Sequence, residues 1–134
     1  MPTAKINYTG SLHTDCTHCQ SGNTIATDAP TDNFGKGEAF SPTDLLATSL
    51  ASCMLTTMAI AAQKSNFVFG EASSEVTKIM ADSPRRVAAV QIIINMPKQE
   101  FTSEQIEILE QAAHNCPVAK SLHSDLVIEL KFNY

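Results

Sequence analysis

Two cysteines in this 134-residue sequence lie in settings where a thiol could react. Cys53 lies inside a long apolar run, "TDLLATSLASCMLTTMAI", and Cys116 lies directly before a proline in "AAHNCPVAKSL". A thiolate can attack an electrophile or a peroxide, and two thiols that meet can form a disulfide. The alternative is that both are unrelated residues of an apolar core.

The position of Cys116 predicts an acidic thiol. A residue before proline favours extended backbone, and proline is common in the first turn of a helix. Cys116 is therefore expected at the N-cap of a short helix, "PVAKSLHS", where the free amides favour a thiolate. His114 and Lys120 are near enough in sequence to add to this effect.

Cys53 has no such local reason to be acidic. Its neighbours are Ala, Ser, Leu and Met, and burial among them would leave the thiol protonated and inert. It becomes reactive only if the fold brings a cation or the second cysteine to it.

The segment "HTDCTHCQ" holds the other two cysteines, Cys16 and Cys19, with His13 and His18 beside them. The C-x-x-C spacing could serve a metal or a redox pair. However, structural zinc sites draw ligands from two separated pairs, and residues three apart on a strand point to opposite faces. We therefore predict no metal and no cofactor, with a zinc site at Cys16 and Cys19 as the less favoured alternative.

Composition excludes several classes of protein. The net charge is −5, with nine scattered Lys and Arg, which argues against a nucleic-acid binder. The N-terminus lacks the apolar region of a secretory signal, so we expect a cytoplasmic protein with reduced thiols. The length fits one domain over residues 1–134.

Residues 45–63 carry no charge over 19 positions, which is the length of a membrane span. Serines and threonines interrupt this run, and no aromatic or basic cluster flanks it. We therefore expect a buried helix in the core of a soluble oligomer, without membrane contact.

Hydrophobic periodicity predicts an α+β domain. Two strands, "AKINYTGSLHT" and "GNTIATDAP", are expected before a long helix that begins after Ser41 and ends near residue 66. Ser41 is the expected N-cap, Pro42 suits the first helical position, and Asp44 suits the positive end of the helix dipole. The side chains expected to face the core are Leu46, Ser49 or Leu50, Cys53, Thr57 and Ile60.

The second half of the chain predicts a hairpin, two helices and a closing strand. The hairpin turns at Ser83-Pro84. An amphipathic helix follows, capped by Thr102 or Ser103, with Ile106, Leu109 and Ala113 inward. The short helix after Cys116 and the strand in "DLVIELKFNY" complete the chain.

Three segments resemble motifs of the OsmC/Ohr family, the osmotically induced and organic hydroperoxide resistance proteins. They are "GKGEAFSPTDLLATSLASCM", "CPVAKSL" and "HCQSGNTIATDAP", and the last is similar to a motif of the OsmC-like branch. The resemblance implies a ββ-α-ββ-α-α-β fold with a long central helix, in an intertwined homodimer. It also implies two active sites at the dimer interface, each with one Cys53 and one Cys116.

The reaction implied by the resemblance is thiol peroxidation of organic hydroperoxides. Cys53 would attack the peroxide and become a sulfenic acid, and Cys116 would resolve it as a disulfide. A dithiol reductant would then restore both thiols. An apolar pocket would favour organic hydroperoxides over hydrogen peroxide.

The sequence departs from the family where the thiolate is activated. The hydroperoxide reductases use an arginine from an N-terminal loop and a glutamate on the long helix. Here Thr43 stands at the glutamate position, beside Asp44, and no arginine precedes Arg85. His18 and Asp44 are the candidate supporting residues, whereas Arg85 and Arg86 lie at the hairpin turn.

A different class of function is also compatible with these residues. The chain could be a non-enzymatic dimer that binds a small apolar or electrophilic ligand between buried thiols. Loss of peroxide consumption in cysteine variants distinguishes the enzyme from this binding protein.

Overall fold

The structure is a computed structural model that describes all 134 residues. It divides into two compact units, residues 1–46 and 47–134. The single domain expected from the sequence stays a prediction, and the α+β class with one long helix is confirmed.

The first unit is built on a three-stranded antiparallel sheet in the order β1-β2-β3. Its strands are β1 (Ala4–Gly10), β2 (His13–His18) and β3 (Thr24–Asp28). A 3₁₀ turn at Thr31–Asn33 and a loop lead to helix α1 (Pro42–Lys64), which continues into the second unit.

The sequence predicted two strands here, and the structure has three. The turn between β1 and β2 places Ser11 and Leu12 at positive φ, 56° and 60°. Such a two-residue turn usually carries Asn-Gly or Asp-Gly. Because Ser-Leu lacks that signature, the sequence does not predict that the first strand folds back on itself.

The second unit pairs β4 (Ser73–Ala81), β5 (Arg86–Asn95) and β6 (Val127–Asn133) in that order. The predicted hairpin is confirmed, since β4 and β5 are antiparallel around Ser83-Pro84. β6 is parallel to β5, which requires a crossover. Helices α2 (Ser103–His114) and α3 (Pro117–Ser121) form that crossover.

The core of the second unit joins α1, β5 and α2. Side chains from one face of β5 are fully buried, and α1 and α2 contribute the others. Thr102 caps α2 in a capping box with Gln105, as its sequence predicted. The buried core residues are Ala47, Leu50, Ala51, Met54, Met58, Ala62, Val90, Ile92, Ile94, Met96, Leu109, Ala113 and Cys116.

Helix α1 has the length and hydropathy of a membrane span. Core helices of soluble proteins meet the same criteria. Six of its residues are buried in the protein, which agrees with the core role predicted from the sequence.

A histidine between two carboxylates anchors the loop before α1. His13 Nδ1 lies 2.5 Å from Asp28 Oδ1, and His13 Nε2 lies 3.1 Å from Asp15 Oδ1. Asp28 also accepts a hydrogen bond from the Glu38 amide, 3.0 Å away. The His13–Asp28 pair therefore connects the sheet of the first unit to the loop before α1.

Each partner shifts the pKa of the other. The hydrogen bonds that His13 donates to Asp28 and, with a smaller effect, to Asp15 raise the pKa of His13 above its ordinary value. The hydrogen bond with His13 lowers the pKa of Asp28, with smaller help from the Glu38 amide and Lys36. Stabilisation from His13 is full below its ordinary pKa and is lost as pH rises through the raised value. Stabilisation from Asp28 is full above its ordinary pKa and is lost as pH falls through the lowered value.

We predict that His13→Gln lowers the melting temperature most between about pH 4 and pH 6.5, where both groups are charged. Differential scanning fluorimetry across pH 3–9 measures this difference from the wild type. The control is His123→Gln, because His123 is exposed. A His13→Gln effect that is constant across this range would contradict the anchor.

Candidate active site

Cys53 lies in the middle of α1, at the margin of its buried stripe. Of the stripe predicted from the sequence, Leu50 is fully buried and Cys53 packs against the core, whereas Leu46 and Thr57 are half-buried. The prediction is wrong at Ile60, which is exposed. The buried residues of α1 are Ala47, Leu50, Ala51, Met54, Met58 and Ala62. Cys53 is therefore half-buried rather than fully enclosed.

Cys116 occupies the N-cap of α3, as the Cys-Pro sequence predicted. Its backbone is extended (φ −63°, ψ 150°), and Pro117 begins the helix. The Lys120 amide donates the first helical hydrogen bond to the Cys116 carbonyl, at 3.1 Å. The side chain is fully buried.

The fold brings these two cysteines together. Cys53 lies close enough to Cys116 to raise the pKa of its thiol, and each cysteine is a free thiol. Both belong to the same hydrophobic cluster, in which apolar residues such as Leu55, Val118 and Leu122 pack around the core. Two residues 63 positions apart in sequence thus share one site.

Burial decides the ionisation of Cys116. Desolvation is the largest influence and raises the pKa of this thiol, and proximity to Cys53 raises it further. The amides of Ala119 and Val118 act in the opposite direction, although the sulfur makes no full capping hydrogen bond. The acidic Cys116 expected from its N-cap position is therefore wrong, because the amide effect is smaller than the cost of burying a thiolate.

The two cationic side chains expected to lower the pKa of Cys116 lie at the protein surface. His114 and Lys120 are both exposed. The His114 ring packs edge-on against Phe132, with the ring centroids 6.2 Å apart. Neither side chain offsets the effect of burial on the thiol.

The two candidate supporting residues have local partners. His18 Nδ1 lies 2.6 Å from Ser21 Oγ, in the turn between β2 and β3. Asp44 closes a capping box on α1: its carboxylate accepts from the Ser41 amide, and its amide donates to Ser41 Oγ. A role for either residue in activating a thiolate stays a prediction.

The motif shared with the OsmC-like branch has a structural explanation in this chain. His18, Ser21 and Gly22 build the β2–β3 turn, in which the Gly22 amide donates to the His18 carbonyl at 2.8 Å. Asp28 anchors the loop that follows. These hydrogen bonds account for the residue types of the motif in the first unit.

Cys16 and Cys19 are half-buried free thiols. Cys16 is central in β2, opposite Ile6 on one side and Ile25 on the other. No group of three or more His, Cys, Asp or Glu side chains is arranged to hold a metal ion. Arg86, at the hairpin turn, donates to the carbonyls of Asp82 and Pro84.

Sequence reasoning missed one polar neighbour of Cys53. Thr57 Oγ1 lies 3.8 Å from Cys53 Sγ, one helical turn further along α1. The i,i+4 spacing of Cys53 and Thr57 is the sequence signal that could have identified this contact.

Comparison with known proteins identifies the family. Residues 35–131 match the family model described as OsmC-like protein. This chain belongs to the OsmC-like protein family. No curated protein matches the sequence.

Solved structures agree with this assignment. One protein, from Psychrobacter arcticus 273-4, is provisionally described as an osmotic stress induced and detoxification response protein. Its sequence is 50% identical to this chain and the TM-score is 0.93. The match covers 99% of this chain and 96% of the other. The OsmC-like protein of Mycoplasma pneumoniae is 18% identical with a TM-score of 0.79, covering 97% and 94%. The organic hydroperoxide resistance protein OhrB of Bacillus subtilis is 20% identical with a TM-score of 0.70, covering 98% of both chains. The last two resemble this chain in fold.

We predict that iodoacetamide modifies Cys53 before Cys116 in the native protein at pH 7. Cys53 is half-buried, whereas Cys116 is fully buried and its raised pKa keeps it protonated. Peptide mass spectrometry over time measures both rates. Urea-unfolded protein is the control, in which the two rates converge, and faster native labelling of Cys116 would contradict the assignment.

Proposed function

We propose that this protein is a cytoplasmic, thiol-dependent peroxidase that reduces organic hydroperoxides through Cys53 and Cys116. The observation that carries the proposal is the contact between these two free thiols in one apolar cluster. Membership of a family that includes organic hydroperoxide resistance proteins supports the same substrate class.

The different settings of the two cysteines favour different roles. Cys116 is buried and held as a thiol by its raised pKa, so it is poorly suited to attack a peroxide. Cys53 is half-buried and accessible to a small substrate. Cys53 is therefore the proposed attacking residue and Cys116 the resolving residue.

Each step of the proposed reaction balances. The Cys53 thiolate attacks the outer oxygen of the hydroperoxide, the O–O bond breaks, and the leaving alkoxide takes a proton to become an alcohol. The Cys53 sulfenic acid then condenses with the Cys116 thiol, forming a disulfide and releasing water. A dithiol reductant regenerates both thiols and is itself oxidised to a disulfide.

We predict that Cys53→Ser abolishes consumption of cumene hydroperoxide supported by a dithiol such as dithiothreitol. In the absence of dithiothreitol, Cys116→Ser is expected to consume a single equivalent quickly and to accumulate sulfenic acid at Cys53, because the resolving thiol is missing. A ferrous oxidation assay measures residual peroxide, and dimedone labelling with mass spectrometry detects the sulfenic acid.

Cys16→Ser and Cys19→Ser are the matched controls, because those thiols lie outside the pair. If Cys53→Ser and Cys116→Ser both consume peroxide like the wild type, the peroxidase proposal fails. The non-enzymatic binding protein then becomes the better account.

We further propose that the protein acts as a homodimer that pairs its α1 helices. One face of α1 is exposed and uncharged along its length: Ser49, Ser52, Thr56, Ala59, Ile60 and Gln63. The large apolar side chain in this face belongs to Ile60, which is 46% exposed. The small side chains of this face allow two helices to approach closely, and a closed two-fold dimer would cover it.

We predict that Thr56→Glu converts the dimer to a monomer, because two carboxylates would face each other across the helix pair. Light scattering coupled to size exclusion measures the mass. Ser124→Glu, on an exposed loop, is the control and should leave the dimer intact. A wild-type protein with the mass of one chain would contradict the homodimer.

A further inference from the structure

Two adjacent threonines on α1 use their hydroxyls differently. Thr56 Oγ1 donates to the Ser52 carbonyl at 2.9 Å, which is the usual bond of a helical threonine to the residue four positions earlier. Thr57 Oγ1 instead lies 3.8 Å from Cys53 Sγ, within hydrogen-bond range for sulfur. The two residues therefore form a natural pair for comparison.

The geometry places a neutral donor beside the proposed attacking sulfur. While Cys53 is a thiol, either group can donate in this contact. Once Cys53 has lost its proton, its sulfur only accepts, so the Thr57 hydroxyl must be the donor. Both residues are half-buried, and a hydrogen bond to a charged group strengthens when water is partly excluded.

No arginine precedes Arg85 in the sequence, and Arg86 is engaged with carbonyls of the hairpin turn. The groups that the structure places at the Cys53 sulfur are uncharged: the Thr57 hydroxyl and the Cys116 thiol. Both groups can donate a hydrogen bond to a thiolate at Cys53.

We propose that Thr57 stabilises and orients the Cys53 thiolate by donating its hydroxyl hydrogen to the sulfur. This inference rests on the proposed function, in which Cys53 attacks the peroxide. With the hydroxyl in place, a Cys53 thiolate gains a hydrogen bond and its sulfur is held on the side of the helix that faces Thr57.

The test compares Thr57→Val, which removes the hydroxyl at nearly constant shape, with Thr57→Ser, which keeps it. Thr77→Val, at an exposed position of β4, is the control for the loss of a threonine hydroxyl elsewhere in the chain. The measurement is the rate of Cys53 alkylation by iodoacetamide, followed by peptide mass spectrometry from pH 5 to pH 11. Thr57→Ala provides a second variant without the hydroxyl, in case valine disturbs folding.

Thr57→Val and Thr57→Ala are expected to slow alkylation at pH 7 by about tenfold, the size of effect expected for a hydrogen bond to a charged group. The pH–rate profile should move to higher pH, and the rates should rejoin the wild type where Cys53 is fully ionised. Thr57→Ser and Thr77→Val should follow the wild type. Unchanged profiles in both variants without the hydroxyl would overturn the inference, as would a rate loss that persists at high pH.

Alkylation requires no peroxide, so the two proposals can fail separately. A shifted alkylation profile in a protein that consumes no hydroperoxide keeps the role of Thr57 toward the sulfur and rejects the peroxidase. Hydroperoxide consumption at wild-type rate in Thr57→Val, with an unchanged alkylation profile, keeps the peroxidase and rejects the role of Thr57.

Discussion

The contact between Cys53 and Cys116 depends on the packing of α1 against the crossover that returns the chain from β5 to β6. Cys116 lies at the start of α3, and it is buried in the same core as Leu50 and Met54 of α1. The parallel pairing of β5 with β6 requires that crossover. The second thiol is thus held by the core of the second unit and not by a surface loop, so its position is as stable as the packing around it.

This placement sets two physical effects against each other at Cys116. Helix amides favour a thiolate, and burial opposes it. Because the pKa of Cys116 is raised, burial outweighs the amides. A buried thiol that stays protonated retains a hydrogen to donate toward the Cys53 sulfur. In the proposed reaction the same group is later the nucleophile that closes the disulfide, so one residue serves the reduced state and the resolving step.

The sequence predicted those features that local rules determine. Cys-Pro located the N-cap of α3, Ser41 and Asp44 located the start of α1, and the Ser83-Pro84 turn located the hairpin. The phase of α1 could not be predicted, because Ala, Leu and Met lie on several of its faces and many rotations would bury apolar side chains. The direction of the Cys116 pKa shift was missed for a related reason: desolvation depends on tertiary neighbours that no local pattern specifies.

A neutral activator has consequences that a charged one does not. Guanidinium stays ionised throughout the physiological range and attracts a thiolate from several directions. A threonine hydroxyl donates along one direction, and only while its side chain keeps the correct rotamer. On α1 the β-branched side chain of Thr57 is restricted to few rotamers, and the i,i+4 spacing keeps it beside Cys53. The helix itself therefore preorganises the hydroxyl donor toward the sulfur. In this proposal the reactivity of Cys53 depends on Thr57, one turn along α1, and on the buried Cys116 thiol nearby.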